Sequence, residues 1–255
     1  MKKNIVFIPW IKDDTRATRS LPYKYSISSW KQWCRKNNTD LVIMDQLLCP
    51  VEEMKITWQR YHVLEILDNS NIDYNQVLMV DADTIIHPDT PNFFEMTNNE
   101  FTAVHNEGCY DWICRSIENY NKHMFPGDIP FSLHEYINTG FLIFNKTHKT
   151  FLNEFLNFYN EHKELIVKMQ EIFHVGTCQA VIQYFLKLKN IKLNLLPYEY
   201  NMCDLVRKEI LTDDLVMTEV GWIYHYNAIP DNHEADKTMY WMKKTYEHLY
   251  GELID

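Results

Sequence analysis

Glycine is scarce in this chain, with six among 255 residues. No GxGxxG or GxxxxGK[ST] spacing occurs, so the sequence has neither the dinucleotide-binding turn nor the P-loop, in both of which glycines let backbone N–H groups close on phosphates. Any nucleotide must be held in another way. Long apolar runs are also missing. Stretches such as "LVIM" and "FLIF" fall far short of the roughly 20 residues a bilayer-spanning helix needs, and the apolar part of "MKKNIVFIPW" is too short for a secretion signal. The expectation is a soluble, cytoplasmic protein with no transmembrane segment. The six cysteines, at 34, 49, 109, 114, 178 and 203, form no CxxC pair and no zinc-ligand spacing, so reduced thiols are expected. Positive charge is in deficit, with 25 Lys and Arg against 35 Asp and Glu, a formal −10. Duplex binding depends on cations that neutralise phosphates, which argues against nucleic acid as a partner. An acidic enzyme that handles an anionic ligand usually brings a metal ion to it. Repeats, low-complexity tracts and Pro/Gly/Ser-rich linkers are absent, so residues 1–255 are read as one domain.

What is present is core material: 46% apolar and 14% aromatic residues, ample for a large packed interior. "NIVFI" and "DLVIM" read as buried strands around the helix "YSISSWKQWCRKN", a βαβ opening. "ITWQRYHVLEILDNS" sets Ile56, Arg60, Val63, Leu64 and Leu67 at helical spacing ahead of the strand "QVLMV". The second half mixes strands "FTAVH", "YINTGFLIF" and "WIYHY" with helices around 150–173 and 178–188. Between residues 106 and 135 the periodicity is weak, and a substrate-facing loop is expected there. A closing helix presents Met239, Met242, Tyr246 and Leu249 on one face, for packing onto the core. The fold class is α/β, with a mixed central sheet flanked by helices.

One stretch is chemically unusual. In "QVLMVDADTIIHPDT" two carboxylates, Asp81 and Asp83, interrupt an apolar run where unpaired charge would cost several kcal/mol. Side chains alternate along a strand, so the two acids can share a face and turn toward one point at its C-terminal end. Two carboxylates there repel unless a cation lies between them, and hard oxygen ligands suit Mn²⁺ or Mg²⁺. His225 in "WIYHY" shares a strand face with an apolar neighbour, where an imidazole needs a partner, and a metal is one such partner.

The string "VLMVDADTIIH" resembles the DxD segment of GT-A glycosyltransferases. The resemblance extends through "ITWQRYHVLEIL", "YINTGFLIFNK" at 136–146, "CQAVIQYFL" at 178–186, "LPYEYN" at 196–201 and "WIYHYNA" at 222–228, in the order of the glycogenin-like and bacterial lipopolysaccharide (family 8-like) group. It implies a Rossmann-like GT-A fold, with residues 1–100 as a nucleotide-binding half ending in the DxD and 101–255 as an acceptor- and sugar-binding half. It also implies a hexosyltransferase that moves sugar from a UDP- or GDP-sugar donor to a saccharide or glycan acceptor with retained configuration. Asp81, Asp83 and His225 would hold the ion. Pro9, Trp10, Arg60, Ala82, Thr139, Gly140 and Lys237 would contact the donor, and Asn138 and Gln179 would serve the reacting sugar. Where the group usually has Asp-Gln this chain has Cys178-Gln179, so another acid, Glu107, Asp111 or Asp128, is expected on the sugar side, and Asp111 is taken as a catalytic candidate. "DADT" also resembles the nucleophile motif of haloacid-dehalogenase-like phosphatases, which would phosphorylate Asp81. A sugar-nucleotide-binding GT-A domain without turnover is the third reading.

Overall fold

The computed structural model describes residues 2–11, 20–125, 129, 132–229 and 237–253. Its centre is a six-stranded sheet built from β1 (Lys3–Pro9), β2 (Asp40–Met44), β3 (Tyr74–Val80), β5 (Phe101–His105), β6 (Ile137–Asn145) and β7 (Leu193–Leu196), in the order β2-β1-β3-β6-β5-β7. β1 runs parallel to β2 and β3, β5 runs parallel to β7, and β6 runs antiparallel to both β3 and β5. A separate pair, β4 (Thr84–Ile86) and β8 (Ile223–His225), is antiparallel and sets Thr84 opposite His225.

The apolar runs are continuous because both sheet faces are covered, and strict alternation divides each strand between two cores. Ile5, Phe7, Val77, Met79, Leu142 and Phe144 join one cluster with Trp58, Phe155 and Tyr159. Val6, Ile8, Leu78, Val80, Phe141 and Ile143 join the other with Trp30, Trp33 and Phe93. The first helix, α1 (Tyr23–Lys36), puts Trp30 and Trp33 into the second cluster, and Trp33 stacks on Phe93 at 4.6 Å. On the other face the long helix α5 (Lys149–Phe173) buries Phe151, Phe155 and Tyr159 beside α6 (Cys178–Leu188). The closing helix α7 (Lys237–Tyr250) packs Met242 and Tyr246 onto Ile85, Tyr224 and Tyr226, so it covers the small sheet as its apolar face required. Among the described residues no helix is long and apolar enough to cross a membrane.

Three local features depart from the sequence reading. The expected loop after β5 contains α4 (Tyr110–His123), which buries Ile113, Ser116 and Tyr120. A serine sits in that buried stripe, which hid its period, while Asp111 in the first turn, Lys122 and His123 in the last and the Arg115–Asp111 pair at 2.8 Å support a helix. The helix expected from Ile56 is broken into α2 (Ile56–Gln59) and α3 (Val63–Asn69) by a 3₁₀ turn at Arg60–His62. The apolar run through the DxD is not one strand: Asp81–Asp83 forms the bend between β3 and β4, which belong to different sheets.

Candidate functional site

The bend is fixed by hydrogen bonds to its backbone groups. Asp81 N–H donates to Gly140 O at 3.0 Å, Tyr226 N–H donates to Asp83 O at 2.8 Å, and the Thr84 hydroxyl donates to Asp81 O at 2.8 Å. The same hydroxyl accepts from the Trp30 indole at 3.0 Å. Sheet, small sheet and α1 therefore converge on three residues, leaving the two aspartate side chains little freedom of placement.

Register then delivers the histidine. His225 ends β8 opposite Thr84, and its Nε2 lies 3.2 Å from Asp83 Oδ1 and 3.7 Å from Asp81 Oδ2. Its Nδ1 lies 3.2 Å from Asn201 Oδ1, while Asn201 Nδ2 donates to Asn138 Oδ1 at 3.1 Å. With the Asn201 amide so oriented, Nδ1 must carry a proton, which leaves Nε2, the nitrogen that faces the carboxylates, as the one to ligate an ion. Burial pushes the imidazole down, but the charges of Asp83 and Asp81 outweigh it and hold the group above its ordinary value. Asp81, Asp83 and His225 each offer one ligand atom, all within 4.8 Å of one another. Ligand atoms on one Mn²⁺ or Mg²⁺ stand up to about 4.2 Å apart at bonds of ~2.1 Å, so a small inward rotation closes this set on an ion. The donor chemistry fits: two hard carboxylates and an imidazole fixed in tautomer by the group behind it.

Gly140 makes the approach possible. A Cβ there would lie 2.4 Å from His225 Cε1, 2.8 Å from Asn138 Oδ1 and 3.0 Å from Asp81 Oδ2. Arg60 approaches from the opposite side. Its guanidinium, 7% exposed, pairs with Asp81 Oδ1 and lies 3.8 Å from Cys178 Sγ. The break in the helix sets it there, since Arg60 opens the 3₁₀ turn.

Two cavities meet at the bend. The larger, about 690 Å³, is lined by Pro9, Lys55, Arg60, Ala82, Thr139 and Cys178, among others. The smaller, about 380 Å³, is lined by Asn106, Asn138, Asp204, Arg207, His225 and Asn227, among others. Asp81, Asp83, Trp112 and Gln179 line both.

The structure thus gathers Pro9, Arg60, Asp81, Ala82, Asp83, Asn138, Thr139, Gln179 and His225 around one bend, with Gly140 beneath it. Gln179 Oε1 accepts from Thr139 N–H at 3.1 Å, which joins α6 to β6 there. Other candidates lie elsewhere. Trp10 packs against the apolar cluster under α1, and Lys237 is the exposed first residue of α7. Asp111 is 72% exposed, pairs with Arg115, and lines neither cavity. Glu107 pairs with Lys208 at 3.3 Å, and Asp128 lies outside the described residues. Besides Asp81 and Asp83, the acid that lines the smaller cavity is Asp204, which the sequence did not single out; nor did it assign a role to Asn201, although "LPYEYN" marks the segment.

No protein-family model matches the chain, and no curated protein matches it in sequence. Among solved structures it is similar to a glycosyltransferase involved in the glycosylation of the major capsid of PBCV-1, with a TM-score of 0.61 at 10% identity over 94% of this chain and 98% of that one. It also aligns with apo GlyE, a glycosyltransferase of Streptococcus pneumoniae TIGR4, at TM-score 0.48 and 13% identity over 98% of this chain and 62% of that one. Apo mouse xyloside xylosyltransferase 1 aligns at 0.48 and 11% identity over 90% and 99%. The first similarity establishes the fold, which is the GT-A fold of glycosyltransferases.

Proposed function

We propose that the protein is a metal-dependent glycosyltransferase that moves a hexose from a UDP- or GDP-sugar to a saccharide or glycan acceptor, with retention, as a single GT-A domain of the glycogenin-like, family 8-like kind. The observation that carries this reading is the convergence of Asp81, Asp83 and His225 at the bend where two cavities meet. One ligand can enter on each side of that point, as transfer between a donor and an acceptor requires.

Asp81, Asp83 and His225 would hold Mn²⁺ or Mg²⁺, which when bound neutralises charge on the leaving diphosphate as the anomeric C–O bond breaks. The chain does the rest. Asn201 keeps the imidazole in its ligating tautomer, and Arg60 holds Asp81 in place and brings a permanent positive charge to the donor cavity. Pro9, Ala82 and Thr139 shape that cavity, while Asn138 and Gln179 stand where it opens to the smaller one. The Arg60 guanidinium lies 3.8 Å from Cys178 Sγ, where the group usually has an acid. Asp81 follows the third strand in the chain and is engaged by Arg60, which argues against a phosphatase nucleophile. Cytoplasmic residence remains part of the proposal.

A thermal-shift screen of UDP- and GDP-sugars with and without Mn²⁺ tests the reading, because a ligand selective for the folded state raises its apparent stability. A shift that needs both nucleotide sugar and ion is expected. Trapping beryllofluoride with Mg²⁺ on Asp81 would sink the transferase reading, and donor binding without turnover would leave a binding domain. His225→Ala should weaken Mn²⁺-dependent UDP or GDP binding by about 1–3 kcal/mol, the scale of a charge-assisted contact. It should also lower the melting temperature without metal, because His225 is buried and its loss strands the Asn201 amide oxygen. Calorimetric titration and a metal-free melt decide both halves; wild-type affinity would remove His225 from the ion.

A further inference from the structure

The smaller cavity has a lining unlike its neighbour's. Among its wall residues are three acids, Asp81, Asp83 and Asp204, a single arginine, Arg207, and three asparagines, Asn106, Asn138 and Asn227, with Trp112 at the junction. Two of the acids belong to the ion site already described. Asp204 does not.

Its placement is strongly determined. Asp204 adopts the left-handed conformation, φ 53°, which aspartate tolerates better than most residues, and its side chain is 6% exposed. Its N–H donates to Asn227 Oδ1 at 2.8 Å, and Asn227 Nδ2 reaches back to Asp204 Oδ2 at 3.4 Å. Arg207 Nη1 donates to Oδ1 at 2.5 Å from a half-exposed position. Opposite lies Gly108, where a Cβ would stand 1.9 Å from Asp204 Oδ2, so only glycine leaves room for the carboxylate. Asn106 Oδ1 fixes that glycine by accepting its N–H at 2.9 Å and takes the Cys203 thiol at 3.3 Å.

A carboxylate accepts hydrogen bonds at about four lone-pair sites, and Arg207 and Asn227 supply two donors, one of them long. A ligand in this cavity is therefore met by an acceptor that wants O–H groups, beside amides that offer both donors and acceptors. With an ion on Asp81 and Asp83, an anionic ligand would still meet the Asp204 carboxylate where a neutral ring presents hydroxyls. We propose that this cavity is the acceptor subsite and that Asp204 makes it selective for a neutral, polyhydroxylated acceptor ring. The carboxylate accepts from acceptor hydroxyls, Asn227 and Arg207 donate to its oxygens, and Trp112 stands between the acceptor and the donor cavity. The inference rests on the glycosyl-transfer reading and deepens it.

The test is saturation-transfer NMR on the full chain loaded with Mg²⁺ and UDP, and separately GDP. The probes are methyl α-glucopyranoside, methyl β-galactopyranoside and methyl α-mannopyranoside, with glucuronate as the anionic comparison. At least one neutral glycoside should bind wild type and lose about tenfold or more in Asp204→Asn, because the charged acceptor of its hydroxyls is gone. Should Asp204→Asn fail to fold, Ala228→Trp decides. Ala228 is exposed and lines only the smaller of the two cavities, so the indole should block the glycoside while nucleotide titration stays at wild-type affinity. Unchanged glycoside binding in either folded variant overturns the inference. So does preference for glucuronate, or no glycoside binding to a protein that binds nucleotide and Mg²⁺. Failure to bind either nucleotide with Mg²⁺ removes the transferase reading itself, and the inference falls with it.

Discussion

Asp83→Asn is expected to lose metal-supported donor binding while melting near the wild-type temperature, and Asp81→Asn is expected to lose both binding and stability. The two acids flank one alanine, yet their surroundings differ. Asp83 faces His225, and its backbone carbonyl, unaffected by the substitution, holds Tyr226. Removing its charge costs an attraction to the imidazole and relieves a repulsion with Asp81, and these offset in sign. Asp81 also neutralises Arg60, whose guanidinium is buried while Asp81 itself is 30% exposed. Breaking a fully buried pair costs about 3–5 kcal/mol. Solvent reaches this carboxylate and asparagine keeps one acceptor oxygen, so about 1–3 kcal/mol is expected, lowering the melting temperature by roughly 2–10 °C. Each substitution should reduce Mn²⁺-dependent UDP or GDP affinity by at least about tenfold, because a hard cation loses a charged ligand. Calorimetry and metal-free thermal melts separate the effects. Equal melting temperatures for the two variants would show that Arg60 does not depend on Asp81, and donor binding that persists in Asp83→Asn would take the ion away from the bend.

That difference between neighbouring acids marks what could be read from the chain. Asp81 and Asp83 stood out because they break an apolar run, and a charge in a central strand needs a compensating group that local sequence can announce. Alternation in "WIYHY" similarly marked His225 as inward-facing. The strands of the first half were legible because continuous β-branched runs have few other fates. Helical spacing makes Arg60 one turn of a regular helix, whereas the 3₁₀ break that aims it at Asp81 is a tertiary outcome. Asn201 and Asp204 escaped for another reason: their partners lie 24 residues away at His225 and 23 at Asn227, on elements brought together only by the folded chain. Nothing adjacent to Asp204 distinguishes it from Asp111, yet one is buried in a cavity wall and the other is a solvated pair on a helix. Composition places acids in a sequence, but burial assigns their work.

Gly140→Ala is expected to have an effect as large as losing a ligand, although it removes no functional group. Gly140 lies on β6 between Asn138 and Phe141, buried, with its carbonyl holding the Asp81 N–H. A methyl group there would come within 2.4 Å of His225 Cε1 and 3.0 Å of Asp81 Oδ2, closer than unbonded atoms approach. The Gly140 backbone is tied on one side, where its carbonyl accepts the Asp81 N–H at 3.0 Å, while pairing to β5 shifts register around it. The imidazole must move, away from its place beside Asp83 and Asp81. Overpacking of this kind costs about 1–3 kcal/mol of stability, and displacing a ligating group by about 1 Å costs on the order of a hundredfold in activity. Gly108→Ala is the matched control, for its Cβ would meet Asp204 Oδ2 and Asn106 Oδ1 and no member of the ion cluster. Mn²⁺-dependent UDP or GDP binding should collapse in Gly140→Ala and persist in Gly108→Ala, with both variants folded by circular dichroism. Wild-type nucleotide affinity in Gly140→Ala would mean that His225 and Asp81 need not meet where the structure joins them, and the ion site would have to be sought elsewhere.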